Sequence, residues 1–315
     1  MYLFDFFKNL FKKNNIGIII WLVLNVAFIV ALFSGGFTDL NGGLLGFGLY
    51  VLSLMIALSP IGEVILRWQT GCKKITDPYV LQRIEPLFRE VYSKALAMNP
   101  ELPQNIKIFM SEDTAPNAFA TGRKTLCITR GLLAYSDEHI KGVLGHEFGH
   151  LAHKDTDLIL VVAVGNLIIS VIFAIIRFFA NAMMFIGQVM TAAFSRSWGG
   201  IFASMFIGLG RVVADFMLVL AMRVWTQIGV WLCMYSSRKN EYRADEYSYN
   251  CGYGEELCQV LESFGLGTGS KGLFAALSSS HPDNADRINK IRALGGSTNY
   301  LPNDNLFNNN NNFNW

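Results

Sequence analysis

The chain has 315 residues, of which 52% are hydrophobic and only 16% are charged, so it is more apolar than an average soluble domain. A net charge of +2, without a basic stripe interleaved with aromatic residues, argues against binding to nucleic acid. The five cysteines contain no CxxC pair and fit a reducing compartment. This composition favours an integral membrane protein.

Four apolar segments predict transmembrane helices. The first, residues 16–33, has no charged residue and is long enough to cross a bilayer. No Ala-x-Ala-like cleavage site follows it, which argues against a removable signal peptide. The other three predicted crossings are residues 44–58, expected to extend to Leu66, residues 158–180 and residues 212–235.

Basic residues flank the first two crossings on their outer sides. They are Lys8, Lys12 and Lys13 before the first crossing, and Arg67, Lys73 and Lys74 after the second. The only charged residue in the loop between the two crossings is Asp39. By the positive-inside rule, both outer segments lie in the cytoplasm. Residues 1–66 therefore form a predicted transmembrane hairpin, and residues 67–157 form a first cytoplasmic part.

This first cytoplasmic part begins with a predicted helix over residues 79–98, followed by a strand at residues 106–110. Residues 119–129 then read as a β-hairpin with Gly122 at the turn. Together they predict a small antiparallel sheet. The edge strand of such a sheet can pair with the extended backbone of a bound peptide.

Residues 146–150 read His-Glu-Phe-Gly-His, on a predicted helix that begins near Ser136. Residues four apart share one face of a helix, so His146 and His150 can bind the same Zn²⁺. Glu147 then lies beside the open metal position and can deprotonate a water whose pKa the metal has lowered. The motif predicts a zinc metallopeptidase.

A catalytic zinc site normally takes three protein ligands, and two candidates remain for the third. His153 is close in sequence, but one straight helix cannot wrap three side chains around an ion. Glu241 lies in a polar helical stretch after the last crossing, although a glutamate near basic residues is commonly a surface ion pair. Asp245, one turn further on, can accept the ring N–H of a ligand histidine.

A zinc site shared by His146, His150 and Glu241 requires an even number of crossings between the histidines and the glutamate. Residues 180–210 are fairly apolar, and a further crossing formed by them would make the number odd. Arg196, the Gly199-Gly200 pair and Gly208 interrupt them, so we predict an interfacial or re-entrant excursion.

Four motifs occur together and in this order: the run Pro116-Asn117-Ala118-Phe119-Ala120-Thr121-Gly122, the zinc pentapeptide followed by Asp155, the segment from Glu241 to Asp245, and Ser280-His281-Pro282. With these motifs the chain resembles HtpX-type membrane proteases, relatives of the integral-membrane CAAX prenyl endopeptidases. The resemblance extends to about residue 294.

The resemblance implies a gluzincin-like site with Glu241 as the third ligand and Asp155 and Asp245 as supporting carboxylates. It places Asn117 near the substrate and lets His281 stabilise the oxyanion of the reaction. It also implies proteolytic quality control of misfolded or damaged membrane proteins, with polypeptides, the lipid bilayer and other membrane proteases as partners.

We therefore predict a mainly α membrane protein with four transmembrane helices and a cytoplasmic α+β metalloprotease domain. Residues 158–235 form the second transmembrane pair, residues 236–294 the second cytoplasmic part, and residues 295–315 an asparagine-rich disordered tail. The expected location is the bacterial inner membrane, with the active site facing the cytoplasm. The alternatives are a processing protease for a lipidated or prenylated peptide, and an inactive zinc-binding scaffold.

Overall fold

The computed structural model describes Phe6, Leu10 and residues 16–154, 156–195, 198–236, 238–264 and 284–295. Its α-helices are α1 (Ile16–Phe33), α2 (Leu40–Ala57), α3 (Pro60–Gln69), α4 (Pro78–Met98), α5 (Asp137–His153), α6 (Asp157–Ile159), α7 (Asn166–Ser195), α8 (Trp198–Ser236), α9 (Arg238–Asn250), α10 (Gly254–Phe264) and α11 (Asn284–Ala293). The strands are β1 (Lys73–Lys74), β2 (Lys107–Ser111), β3 (Ala118–Thr121) and β4 (Thr125–Thr129). A 3₁₀ helix (Arg130–Ala134) follows β4, and a π-helical turn (Leu160–Gly165) joins α6 to α7. The protein is mostly helical, as predicted.

Three helical segments within the described residues are long and apolar enough to cross a membrane: Leu40–Ala57, Leu160–Thr191 and Met205–Leu232. The apolar part of α1, Ile18–Phe33, is shorter. The number of four crossings and their orientation therefore stay predictions. The second predicted crossing does not continue to Leu66, because α2 ends at Ala57 and Ser59 caps the separate helix α3. Pro60 at the first turn of α3 suits a helix start and not a helix interior.

Helices α7 and α8 run antiparallel along each other. Asn166 Nδ2 donates to Thr226 Oγ1 at 3.1 Å, and further along the pair Arg177 Nε donates to Asp215 Oδ1 at 2.8 Å. The described part of residues 180–210 continues these two helices, which contradicts a re-entrant loop, while the interfacial alternative stays a prediction. Glycines in a helix cost only about 1 kcal/mol each, and a helix satisfies every backbone group in lipid. One helix leads away from the zinc motif and the other returns towards Glu241, which fits the expected even number of crossings.

A buried polar network joins four of the long helices. Asn25 of α1 donates to the Tyr50 hydroxyl of α2 at 2.8 Å and to Asn166 Oδ1 of α7 at 2.9 Å. Trp225 of α8 in turn donates to Asn25 Oδ1 at 2.9 Å. Side-chain hydrogen bonds of this kind hold helices together where lipid provides little hydrophobic driving force. Asn25, the strongly polar residue of the first apolar segment, therefore connects α1 to the bundle.

The four described strands form a mixed sheet in the order β1-β2-β4-β3. β1 pairs antiparallel with β2, and β3 pairs antiparallel with β4, but β2 and β4 are parallel. The expectation of a purely antiparallel sheet is therefore wrong. The predicted hairpin exists, with Gly122 in its turn at φ +61°, but β4 inserts between β2 and β3. This leaves β3 as an edge strand.

The soluble core packs α4 and one face of the sheet against α5. Phe148 of α5 is fully buried and stacks on Tyr92 of α4, with 5.4 Å between the ring centroids. Cys72, just before β1, and Cys127 of β4 form a disulfide, so the expectation of reduced cysteines is wrong for this pair. The disulfide attaches the segment after α3 to the middle of the sheet.

Candidate metal centre

Helix α5 carries the zinc pentapeptide through the interior of the soluble domain. The Ser136 side chain caps its start by accepting from the His139 N–H at 3.3 Å, as the sequence predicted. His146 is buried and His150 partly buried, and their Nε2 atoms lie 3.2 Å apart. The two imidazoles therefore point at one common position.

Helix α9 brings Glu241 to that position. Its carboxylate oxygens lie 3.5 Å from His146 Nε2 and 3.4 Å from His150 Nε2, and its side chain is buried. Zn²⁺ bonds of 2.0–2.1 Å in a tetrahedron place neighbouring ligand atoms roughly 3.3 Å apart. The three measured separations match this value, and two imidazoles with one carboxylate form a common ligand set for catalytic zinc. The residues present therefore fit a zinc ion.

Glycines on one face of α5 allow α9 to approach this closely. A Cβ on Gly149 would lie 2.7 Å from Ala244 Cα, and one on Gly145 would lie 2.8 Å from Ser248 Oγ. Ser248 also donates to the Gly142 carbonyl at 2.8 Å. This feature was not among the sequence predictions, although the spacing of residues 142, 145 and 149 indicates a small-residue face.

A buried ion pair supports the ligand His146. Asp245 Oδ1 lies 2.8 Å from His146 Nδ1, where the sequence analysis expected a carboxylate. Arg287 of α11 donates to both oxygens of Asp245, at 2.6 and 2.8 Å, and its Nη1 lies 3.7 Å from Glu241. Burial alone raises the pKa of Asp245, but the charge and hydrogen bonds of Arg287 and the contact with His146 outweigh it and lower the pKa to about 2. The carboxylate is therefore ionised and holds His146 in one orientation.

Glu147, the residue after His146 on α5, contacts the edge of the sheet. Its Oε2 accepts the Ala120 N–H of β3 at 2.7 Å, and its side chain is buried. The hairpin register alternates, so Phe119 and Thr121 pair with β4 while the backbone groups of Ala118 and Ala120 face outward. Both Glu147 and the edge strand were predicted from the sequence, but the hydrogen bond between them was not.

The remaining predicted site residues have different positions. His153 bonds the Gly149 carbonyl through Nδ1 at 2.8 Å and packs edge-on against Tyr247, so it does not join the cluster of ligand atoms. Asn117 is half-buried just before β3, and its N–H donates to Thr129 Oγ1 at 2.8 Å. Asp155 and His281 lie outside the described residues.

Comparison with known proteins identifies the family. A model of peptidase family M48 matches residues 81–294, which include both helices that carry the candidate ligands. The chain belongs to peptidase family M48. It is 28% identical over 263 residues to Protease HtpX of Ectopseudomonas mendocina, which covers 75% of this chain and 81% of that protein. It is 27% identical over 322 residues to Protease HtpX of Pseudomonas entomophila, with 91% and 98% covered. The HtpX-type resemblance is confirmed.

Two further similarities are more limited. The chain is 31% identical over 173 residues to a Protease HtpX homolog of Thermoplasma acidophilum, which covers 50% of this chain and 52% of that protein. Among solved structures, Ste24p of S. mikatae matches 86% of this chain at 22% identity, with a TM-score of 0.43. This chain spans 61% of the Ste24p chain. The family and the apolar helices together make this M48 member a membrane-associated metalloprotease.

Proposed function

We propose that this M48 member is a zinc-dependent endopeptidase whose ligands are His146, His150 and Glu241 and whose general base is Glu147. The observation that carries the proposal is the position of Glu147. Glu147 directly follows His146, one of three side chains at tetrahedral zinc spacing, and its carboxylate accepts the Ala120 N–H of the edge strand β3. A scaffold with structural zinc has no use for a carboxylate in that position.

When bound, zinc would lower the pKa of a water molecule and polarise the carbonyl of the scissile peptide bond. The Glu147 carboxylate accepts a proton from the water as the water oxygen attacks the carbonyl carbon. It then returns the proton to the leaving amine as the C–N bond breaks. Asp245, held by Arg287, keeps His146 in the tautomer that leaves Nε2 free as a ligand.

Strand β3 suits the binding of an extended substrate. It is an edge of the described sheet, and the outward-facing backbone groups of Ala118 and the carbonyl of Ala120 can pair with a peptide irrespective of its sequence, while the Ala120 N–H bonds Glu147. Asn117, directly before β3, is the proposed side-chain contact to the substrate. His281 remains the proposed donor to the oxyanion on the basis of the family resemblance alone.

Misfolded or damaged membrane proteins are the proposed substrates, cleaved at the cytoplasmic face of the bacterial inner membrane. The apolar helices α2, α7 and α8 support attachment to the bilayer, and the positive flanks of the first two segments support the orientation. Asp155 is proposed to support the metal ligands, as the resemblance implies.

Glu147→Gln tests the central assignment. The variant keeps the size of the side chain and all three ligands, so we expect near-stoichiometric zinc in detergent-purified protein. Casein cleavage should fall by several orders of magnitude. A chelator should abolish cleavage by the native protein, and added zinc should restore it. Activity within about tenfold of the native protein would exclude Glu147 as the base.

The same preparation separates the alternatives. A prenyl-peptide processing enzyme would cleave a farnesylated peptide ending in CaaX and leave casein and a misfolded membrane protein in liposomes intact. A zinc scaffold would retain metal and cleave none of the three substrates. We expect cleavage of casein and of the misfolded membrane protein.

A further inference from the structure

Three charged residues are buried together at the turn of the β3–β4 hairpin. They are Glu63 of α3, Arg123 of the turn and Asp157 of α6, and each is less than a tenth exposed. Glu63 follows the second apolar segment, and Asp157 begins the helical run that continues into α7. The membrane region therefore contacts the hairpin at this turn from two sides.

Arg123 connects both sides. Its backbone N–H donates to Glu63 Oε1 at 2.9 Å, while its guanidinium donates to Asp157 Oδ2 at 2.6 Å and to Oδ1 at 3.2 Å. The Thr156 hydroxyl also donates to the Gly122 carbonyl. Buried charges are costly unless they are paired and hydrogen-bonded, so this set holds the turn in one place.

Gly122 is adapted to the same contact. Its φ of +61° favours glycine, and a Cβ at this position would lie only 2.3 Å from Glu63 Cγ. The close approach of Glu63 therefore depends on a residue without a side chain. Glycine is therefore required at position 122 for two reasons, the conformation of the turn and the contact with Glu63.

We call Glu63, Arg123 and Asp157 the clamp, because they hold the hairpin turn. Gly122 of this turn is two residues from Ala120, whose N–H bonds the Glu147 carboxylate. We infer that Arg123 is a positioning residue, which through Glu63 and Asp157 fixes β3 so that the Ala120 N–H orients the general base Glu147. The inference rests on the proposed function. It assigns the membrane-proximal helices a direct part in arranging the catalytic carboxylate.

The metal ligands lie on α5 and α9 and are not part of this clamp. The bond from Arg67 to Thr125 Oγ1 at 2.6 Å, and the pairing of β1 with β2, attach the same region to the sheet independently. Loss of the Arg123 side chain should therefore leave the sheet attached and zinc bound. What it removes is the bond from the turn to Asp157, whereas the bond from the Arg123 N–H to Glu63 stays, so the turn and with it the Ala120 N–H become less firmly held.

Arg123→Gln tests the inference. We expect kcat per active site to fall about 10- to 100-fold, with KM changed less than threefold and zinc content unchanged. Active sites are counted by titration with a tight-binding hydroxamate inhibitor, so a smaller folded fraction is not read as a lower kcat. Hydrogen exchange at the Ala120 amide should become at least tenfold faster. Arg123→Lys, which keeps the charge, should restore part of the kcat.

Arg130→Gln is the matched control. It breaks an exposed ion pair with Glu112 at the end of the same β4 strand, at 2.6 Å, and should change neither kcat nor Ala120 exchange. If Arg123→Gln does not fold, the triple variant Glu63→Gln, Arg123→Gln, Asp157→Asn leaves no unpaired charge and should show the same fall in kcat.

The outcomes separate the two proposals. Suppose that the native protein is active and the Glu147→Gln variant is inactive. Clamp variants with native kcat per site and native Ala120 exchange would then overturn this inference but not the proposed function. An active Glu147→Gln variant would overturn the proposed function itself.

Discussion

The close packing of α5 on α9 leads to a specific prediction for Gly149→Ala. The added Cβ would lie 2.7 Å from Ala244 Cα and 3.0 Å from Tyr247 Cβ, whereas carbon atoms normally pack at about 3.5–4.0 Å. Both contacts lie on α9, and the first is with its backbone, so no rotamer change relieves it. Helix α9 must move away by about 1 Å.

Glu241 lies three residues before Ala244 on the same helix and moves with it. Its separation from the histidine nitrogens, 3.4 and 3.5 Å, then grows to roughly 4.4 Å, well beyond the roughly 3.3 Å of a tetrahedral zinc site. A displacement of about 1 Å at a catalytic site costs on the order of 100-fold in rate. Overpacking should also destabilise the protein by about 1–3 kcal/mol.

The assay measures zinc content at limiting free zinc, casein cleavage and the thermal unfolding midpoint in detergent. Gly187→Ala is the control, since Gly187 also lies within a helix but nothing surrounds its Cβ position within 4 Å. The control should keep native zinc binding and activity. If Gly149→Ala also keeps native zinc content and cleaves casein within twofold of the native rate, the glycine face does not determine the ligand geometry.

Three further predictions follow from the site and its topology. Glu241→Ala should lose both zinc and activity, whereas the exposed Glu246→Ala should keep both, and retained zinc affinity in the first variant would place the third ligand elsewhere. Asp245→Asn should lower zinc affinity about 10- to 100-fold. The folded pKa of Asp245 is depressed to about 2, so its ionised form stabilises the metal-free native protein by about 2 kcal/mol above pH 4. This contribution is lost as the pH falls from about 4 to 2. Melting curves across that range should show this loss in the native protein, and the Asp245→Asn variant should lack it. In a background without native cysteines, Glu138→Cys and Glu246→Cys should be labelled from the same side of sealed vesicles and Gly199→Cys from the other. Opposite labelling of the first two would contradict an even number of crossings.

Local sequence signals predicted much of the architecture. The cap at Ser136, the histidine spacing on α5 and the turn at Gly122 depend on neighbours within a few residues, and each appears where expected. Two expectations were wrong because they depended on distant partners. The sheet is mixed because β4 inserts between β2 and β3, and the described part of residues 180–210 continues two helices because α7 and α8 pack along each other. Neither arrangement leaves a periodic signal in one segment.

In the candidate site, too, local features were predicted from the sequence and long-range contacts were not. The sequence by itself determined the pair His146 and His150 with Glu147 beside them, since one helical turn sets their spacing. Helix geometry argued against His153 as the third ligand and favoured Glu241, but spacing alone did not distinguish Glu241 from a surface ion pair. Only the tertiary structure brings Glu241 within 3.5 Å of the histidines, pairs Asp245 with Arg287, and bonds Glu147 to β3. These contacts join residues between 27 and 95 positions apart, and such contacts depend on how closely helices and strands pack, which the order of residues along one helix does not reveal.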